Sequence, residues 1–287
     1  MTKVLQLLIL LCILNLIAVP LMAADQTCTT LAVQIKKERN LLKKQSLIKN
    51  ALKLCPDDAA IYYSAGYAAE RLRKYERAQS YYLKASEIDT GYAKAYFGLG
   101  DIYMVLGNAK SAIDAYENGL QLVPKNKRAR ASLSIAKIKY KSEQGKTITT
   151  GEFIQVMQQS KKKETTQGAI DGPLLRMQIH FLSSSAQLSD DAKQQLQIVG
   201  KALEDPALSG KAFEISGHTD NTGQPEANLA LSKTRAERVR EYLLSTFEIE
   251  PDNLIVAYYG DTRPARPNTT IENRALNRRV EFKRLEQ

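Results

Sequence analysis

From about residue 25 to residue 145 the apolar positions recur three and four apart, with little Gly or Pro and no alternating stretch, which predicts helices and no strands. The rhythm repeats at a spacing of 34 residues. In Ala93–Asn126 the marked positions are Tyr96, Leu99, Gly100, Tyr103, Ala112, Tyr116, Gly119 and Pro124. Ala59–Tyr92 repeats them with Tyr62, Gly66, Ala78, Tyr82 and Ala85, and Asp25–Asp58 is a weaker copy that keeps Leu31, Ala32, Ala51 and Pro56. Small residues at Gly66, Ala78, Gly100 and Ala112 let paired helices approach, while the aromatics fill the spaces between pairs. The first half therefore reads as an all-α helix-turn-helix solenoid, with Lys127–Lys141 as its capping helix.

These positions resemble the tetratricopeptide repeat over about 100 residues. Beyond them the pattern changes. Gln, Lys, Thr and Gly displace the apolar rhythm from about 146 to 173, which reads as a linker with a short helix at Gly151–Gln158. Met177, Ile179 and Phe181 then alternate with polar residues as a strand does. Ser189-Asp190-Asp191 caps a helix whose stripe is Ala192, Leu196, Val199 and Leu203. Phe213 and Ile215 mark a second strand, Pro225 to Phe247 a long helix, and Leu254–Tyr258 and Val280–Phe282 two more strands. Strands alternating with helices indicate an α/β sandwich. The expected division is 1–24, 25–145, 146–173 and 174–287.

The ends and the cysteines bear on compartment. Lys3, an apolar run from Val4 to Val19, Pro20 and small residues at Ala23-Ala24 read as a secretory signal peptide. The competing reading is an uncleaved anchor, against which Gln6, Asn15 and Pro20 count. Neither Cys12 nor Cys28 has the small-residue lead-in of a lipid anchor, so any membrane association is not through one. Loss of 1–24 leaves Cys28 and Cys55, which fall at opposite ends of two antiparallel helices and suggest one disulfide, with two separate thiols as the alternative. Of 287 residues, 44% are apolar and 25% charged, which excludes wholesale disorder. The net charge of +10 favours anionic partners without choosing one. Lys125, Lys127, Arg128, Arg130, Lys137, Lys139 and Lys141 occur with no acid before Glu143 and read as a solvated outer face, with an acidic partner or an anionic envelope surface as the alternative. An export signal and the lack of a reader motif argue against nucleic acid.

In the long helix, Asn228, Ser232, Arg235, Val239 and Tyr242/Leu243 share one face, polar in its first half and apolar in its second. The polar half is expected to face the preceding loop, with Asp220 turned back toward Arg235. Three blocks, Gly217-His218-Thr219-Asp220 with Gly223, Asn228 with Leu231-Ser232, Arg235-Ala236 and Val239, and Asn277-Arg278-Arg279-Val280-Glu281, resemble the C-terminal peptidoglycan-binding domain of the outer-membrane protein A family. The resemblance spans about 174–285 and implies non-covalent binding of the peptidoglycan stem peptide, with Asp220 and Arg235 gripping its diaminopimelate. The residue types agree, since a free amino-acid end presents an ammonium beside a carboxylate and an Asp/Arg pair is its complement. Thr219, Asn221 and Asn228 are expected as secondary contacts and Arg279 in a supporting role. Gly217 and Gly223 are expected to give the loop unusual backbone angles and exposed N–H donors.

His180 and His218 are the only histidines, the first on the polar side of a strand and the second read as a loop-packing residue. With no zinc spacing and no phosphate loop, the expectation is a binder and not an enzyme, without metal or cofactor. The reading is a multidomain chain: an N-terminal all-α helical repeat and a C-terminal α/β sandwich of the outer-membrane protein A type. It would work as a periplasmic adaptor of a diderm bacterium, in the periplasm or at the outer membrane, holding peptidoglycan while the repeats recruit an unidentified envelope protein. The alternative is a repeat scaffold of an envelope or secretion complex whose C-terminal domain holds no wall.

Overall fold

A computed structural model describes residues 27–159, 173–181 and 186–285. The expected signal segment 1–24 and the Lys161–Gly168 part of the expected linker lie outside them. The chain divides between Leu133 and Ser134 into two compact units.

Among the described residues the regular structure of the first unit is helical. Helix α1 covers 27–37. It is followed by α2 (Leu41–Leu54), α3 (Ala59–Arg71), α4 (Tyr75–Ile88), α5 (Ala93–Val105), α6 (Ala109–Leu122) and the start of α7 (Lys127–Glu143). Asn40, Asp58 and Asn108 cap α2, α3 and α6 by accepting the amide three residues on. The solenoid is held by aromatic rings seated on glycines. A Cβ on Gly66 or Gly98 would stand 2.6 or 2.8 Å from the Tyr82 ring, so only glycine lets the α3, α4 and α5 surfaces close over it. Tyr82 is 1% exposed, and its hydroxyl donates to Glu70 at 2.6 Å. Tyr116 repeats the arrangement against Gly100, donating to Asp101 at 2.7 Å. Each ring thus buries its body and satisfies its tip, a gain of about 2 kcal/mol from burial. Cys28 and Cys55 form a disulfide across α1 and α2, with Cα atoms 5.8 Å apart. Of the basic run, Arg128 pairs with Asp101.

The second unit takes in the rest of α7, then α8 (Thr150–Met157), β1 (Leu174–Met177), α9 (Asp190–Glu204), β2 (Phe213–Gly217), α10 (Pro225–Thr246), β3 (Leu254–Tyr258), α11 (Ile271–Asn277) and β4 (Val280–Arg284). The sheet order is β1-β4-β2-β3, with β2 and β3 parallel and the other pairs antiparallel. The first strand lies earlier than the alternation at Met177, Ile179 and Phe181 indicates: Leu174–Met177 pairs with β4, and Phe181 makes only an isolated bridge to Leu188. The alternation is nonetheless genuine, since Leu175, Met177 and Ile179 are all buried.

Helix α8 is no free linker segment. A Thr149/Glu152 capping box starts it, and Phe153, Val156 and Met157 are buried. Phe153 meets Phe282 of β4 edge-on at 6.0 Å, and Arg284 donates to the Met157 carbonyl at 2.6 Å. On α7, Lys141 pairs with Glu152 at 2.9 Å and Ser142 donates to the Arg176 carbonyl at 2.8 Å. Burial near Arg176 pushes the Lys139 ammonium down to about 8. The basic run is therefore partly internal, and not only a solvated face.

Candidate functional site

The site forms where β2 runs into α10. Gly217 ends β2, and a Cβ there would fall on the carbonyl of Ser232, so glycine is required because strand and helix meet backbone to backbone. Its role is close approach and not the unusual angle expected of it; Gly223, at φ +96°, is the one in the left-handed region. The polar half of the α10 face does hold the loop. Asn228 Nδ2 donates to the Asp220 carbonyl at 3.2 Å, and Ser232 Oγ accepts the Gly260 amide at 3.0 Å. Thr219 donates its amide to the Gly260 carbonyl at 2.9 Å.

The Asp220 carboxylate does not turn to Arg235. Its Oδ1 accepts the Thr222 amide at 2.9 Å and its Oδ2 takes Arg278 Nη1 at 2.6 Å. Under that guanidinium the Asp220 side chain is 9% exposed, whereas Arg278 itself is 47% exposed. Burial alone would raise the Asp220 carboxyl, but the bonds from Arg278 and Thr222 hold it below the ordinary range. Arg235 lies with its guanidinium 4.8 Å from the Phe181 ring centre, and its Nε is buried without a hydrogen-bond partner. Burial, followed by the charge of Arg278, pushes the Arg235 guanidinium below its usual value.

Arg235, Arg278 and Arg279 border one cleft of about 180 Å³, together with His180, Phe181, His218 and others, and no acidic side chain lines it among the described residues. Such a cleft suits a carboxylate. Thr219 is 3% exposed and its Oγ1 has no partner. Asn221 and Gly223 are exposed, whereas Asn228 is buried and spent on the loop.

The two adjacent arginines divide their work differently from expectation. Arg279, expected as a supporting contact, is 6% exposed and commits its donors internally, to Glu281 at 2.6 Å and to the carbonyls of Asn277 and Arg263 at 3.2 and 3.1 Å. Arg278, not singled out in the sequence, is the one that reaches Asp220. Strand alternation offered a signal: at the start of β4, Arg279 and Glu281 fall on the same side and leave Arg278 on the other. Asn277 completes the block by accepting the Ala265 and Arg266 amides at 2.8 and 3.0 Å, which ties down the loop before α11. Among the described residues no group of three His, Cys, Asp or Glu side chains could hold a metal ion.

A model described as the OmpA family matches residues 180–278, and two tetratricopeptide-repeat models match 59–92 and 93–126. The peptidoglycan-associated lipoprotein of Pseudomonas aeruginosa is 35% identical over 124 residues, which is 41% of this chain and 71% of that protein. The chain belongs to the OmpA family. Outer membrane porin F of the same organism is 42% identical over 67 residues, 23% of this chain, and the match spans 19% of the porin's length. The peptidoglycan-binding protein ArfA of Mycobacterium bovis is 42% identical over 68 residues, 24% of this chain and 21% of ArfA. Among solved structures, the cell wall anchor of the T6SS from Pseudomonas aeruginosa is 26% identical, covering 42% of this chain and 86% of that one, with a TM-score of 0.36. In this chain the OmpA-family region follows the tetratricopeptide repeats.

Proposed function

We propose that the chain is a periplasmic, outer-membrane-associated adaptor that binds peptidoglycan non-covalently through the diaminopimelate of its stem peptide and recruits an envelope protein through its repeats. The observation that carries this reading is a half-buried guanidinium, Arg235, whose Nε has no partner, at a cleft that no acid lines among the described residues and that shares Arg278 with the Asp220 carboxylate. A free amino-acid end offers the complementary charges in the complementary order. Relatives named as peptidoglycan-associated and peptidoglycan-binding support the ligand class. The matched repeats, which leave Tyr67, Leu83, Val105 and Leu122 exposed, support an interaction role for the first unit.

The test is sedimentation of the full chain lacking residues 1–24 with isolated sacculi. Wild type is expected in the pellet, and Asp220→Ala and Arg235→Ala each to weaken retention at least about tenfold, the scale of removing one member of a charge-assisted pair. Equal retention of all three would reject the site. A wild type left in the supernatant would favour a scaffold that holds no wall.

A further inference from the structure

Asp220 is poorly placed to receive a ligand as it stands. The carboxylate meant for a ligand's ammonium is already occupied on both oxygens, by the Thr222 amide and by the Arg278 guanidinium, and is covered to 9% exposure. The Thr222 bond is part of the loop's own turn and leaves one oxygen for an incoming cation. The Arg278 bond closes that oxygen. Arg278 is nevertheless the more solvent-accessible member of the pair, at 47%, and it borders the same cleft as Arg235, which no acid lines among the described residues. A guanidinium on a flexible stem can turn from one carboxylate to another within its reach at little cost, provided the first carboxylate is not left bare.

Resting on the peptidoglycan reading, we propose that Arg278 is the exchangeable counter-ion of Asp220 and the residue that makes the site select a free amino-acid end. As the ligand's ammonium takes Asp220 Oδ2, Arg278 swings to the ligand's carboxylate beside Arg235. A ligand with an ammonium alone displaces Arg278 without giving it a new partner. A ligand whose carboxylate is amidated offers it a neutral oxygen and leaves two clustered guanidinium groups uncompensated. The site thus reads ammonium and carboxylate jointly, and Arg278 is the residue that links the two.

Three synthetic tripeptides separate this from a simple loop pin: L-Ala-γ-D-Glu-meso-diaminopimelate with the side-chain amino-acid end free, the same peptide with the carboxylate of that end amidated, and the L-lysine analogue, which keeps the side-chain ammonium but has no carboxylate on the same carbon. Their affinities for the full chain are measured by calorimetry at pH 7, for wild type and for Arg278→Ala. Wild type is expected to prefer the free acid to the amide by at least about tenfold, the scale of a lost charge-assisted contact. Arg278→Ala is expected to bind the free acid about tenfold more weakly, to shrink the acid-to-amide preference to about threefold or less, and to bind the lysine analogue more tightly than wild type because its competitor for Asp220 is gone. A residue that only pins the loop would weaken all three ligands together, and that result would overturn the proposal while leaving the peptidoglycan reading intact. No binding of the free acid to wild type would overturn both. Melting temperatures report whether the variant is folded, and Arg278→Gln, which also removes the charge, provides the same ratios should Arg278→Ala fail to fold.

Discussion

His218 lies 2% exposed, with both ring nitrogens unpartnered, its ring centre 5.3 Å from that of Tyr259, and its Nε2 3.7 Å from Glu281. Burial, followed by the charge of Arg279, pushes the imidazole down to about 3. The folded protein therefore keeps His218 neutral where the unfolded chain binds a proton, from pH 6.5 downward. With the unfolded state binding more protons, the stability His218 allows is complete above pH 6.5 and is lost as pH falls toward 3. Glu281 acts lower: burial alone would raise its carboxyl, but Arg279, His218 and Arg176 pull it down to about 2, so its contribution is lost only as pH falls from about 4.5 toward 2. The window between 6.5 and 4.5 is thus left to His218 within this pair. Urea denaturation of wild type against His218→Gln, in which all other groups cancel, should show a constant difference above pH 7. Below about pH 6 wild type should lose roughly 1 kcal/mol per pH unit relative to the variant. Parallel profiles would mean that the ring takes up its proton in the folded state.

The helix pair α1–α2 carries the weakest copy of the repeat, and its core is small: Leu31, Ile35, Ile48 and Ala51 with the buried Cys55. The disulfide closes a loop with a sequence separation of 27, for which chain entropy alone gives a stabilisation of roughly 3 to 4 kcal/mol. Cys28→Ser with Cys55→Ser, or reduction of wild type, should lower the stability of the first unit by that order and expose the α1–α2 amides to hydrogen exchange before those of α3–α6. Uniform exchange across the unit would show that the bridge is redundant. At this scale the sequence was largely legible, because the solenoid is dictated by size: glycines at Gly66 and Gly100 face Tyr82 and Tyr116, and such a pattern reads directly from spacing. The α10 face was legible for the same reason, as Asn228, Ser232, Val239 and Leu243 are buried in one stripe. The partner of Asp220 was not. Its choice between Arg235 and Arg278 depends on where β4 begins beside the loop after β2, a contact between residues 58 apart in the chain that no local periodicity encodes.

Over the whole chain, the rear unit begins before its family resemblance does. The OmpA-family match starts at 180, yet the compact unit starts at Ser134 and takes in α8 and the second part of α7. The reason is apolar burial. Phe153 and Val156 are each 0% exposed, as is Met157, and Phe153 meets Phe282, with all four residues outside 180–278. At about 2 kcal/mol per fully buried side chain of this size, those three alone are worth on the order of 5 kcal/mol, comparable to the entire stability of an ordinary domain. Arg176 adds a polar tie, reaching Glu281 at 3.0 Å and Glu143 of α7 at 3.4 Å. If Glu143 were absent, one side of that guanidinium would lose its counter-charge. A fragment of residues 134–287 should therefore melt cooperatively, whereas a fragment of 174–287 should be less stable by several kcal/mol and expose apolar surface to a dye such as ANS. Equal melting temperatures for the two would show that α7 and α8 merely lie against a domain that is complete without them. The distinction bears on binding as well, because Arg176 and Arg279 donate to the same oxygen of Glu281, and Arg279 borders the cleft where the ligand is proposed to sit.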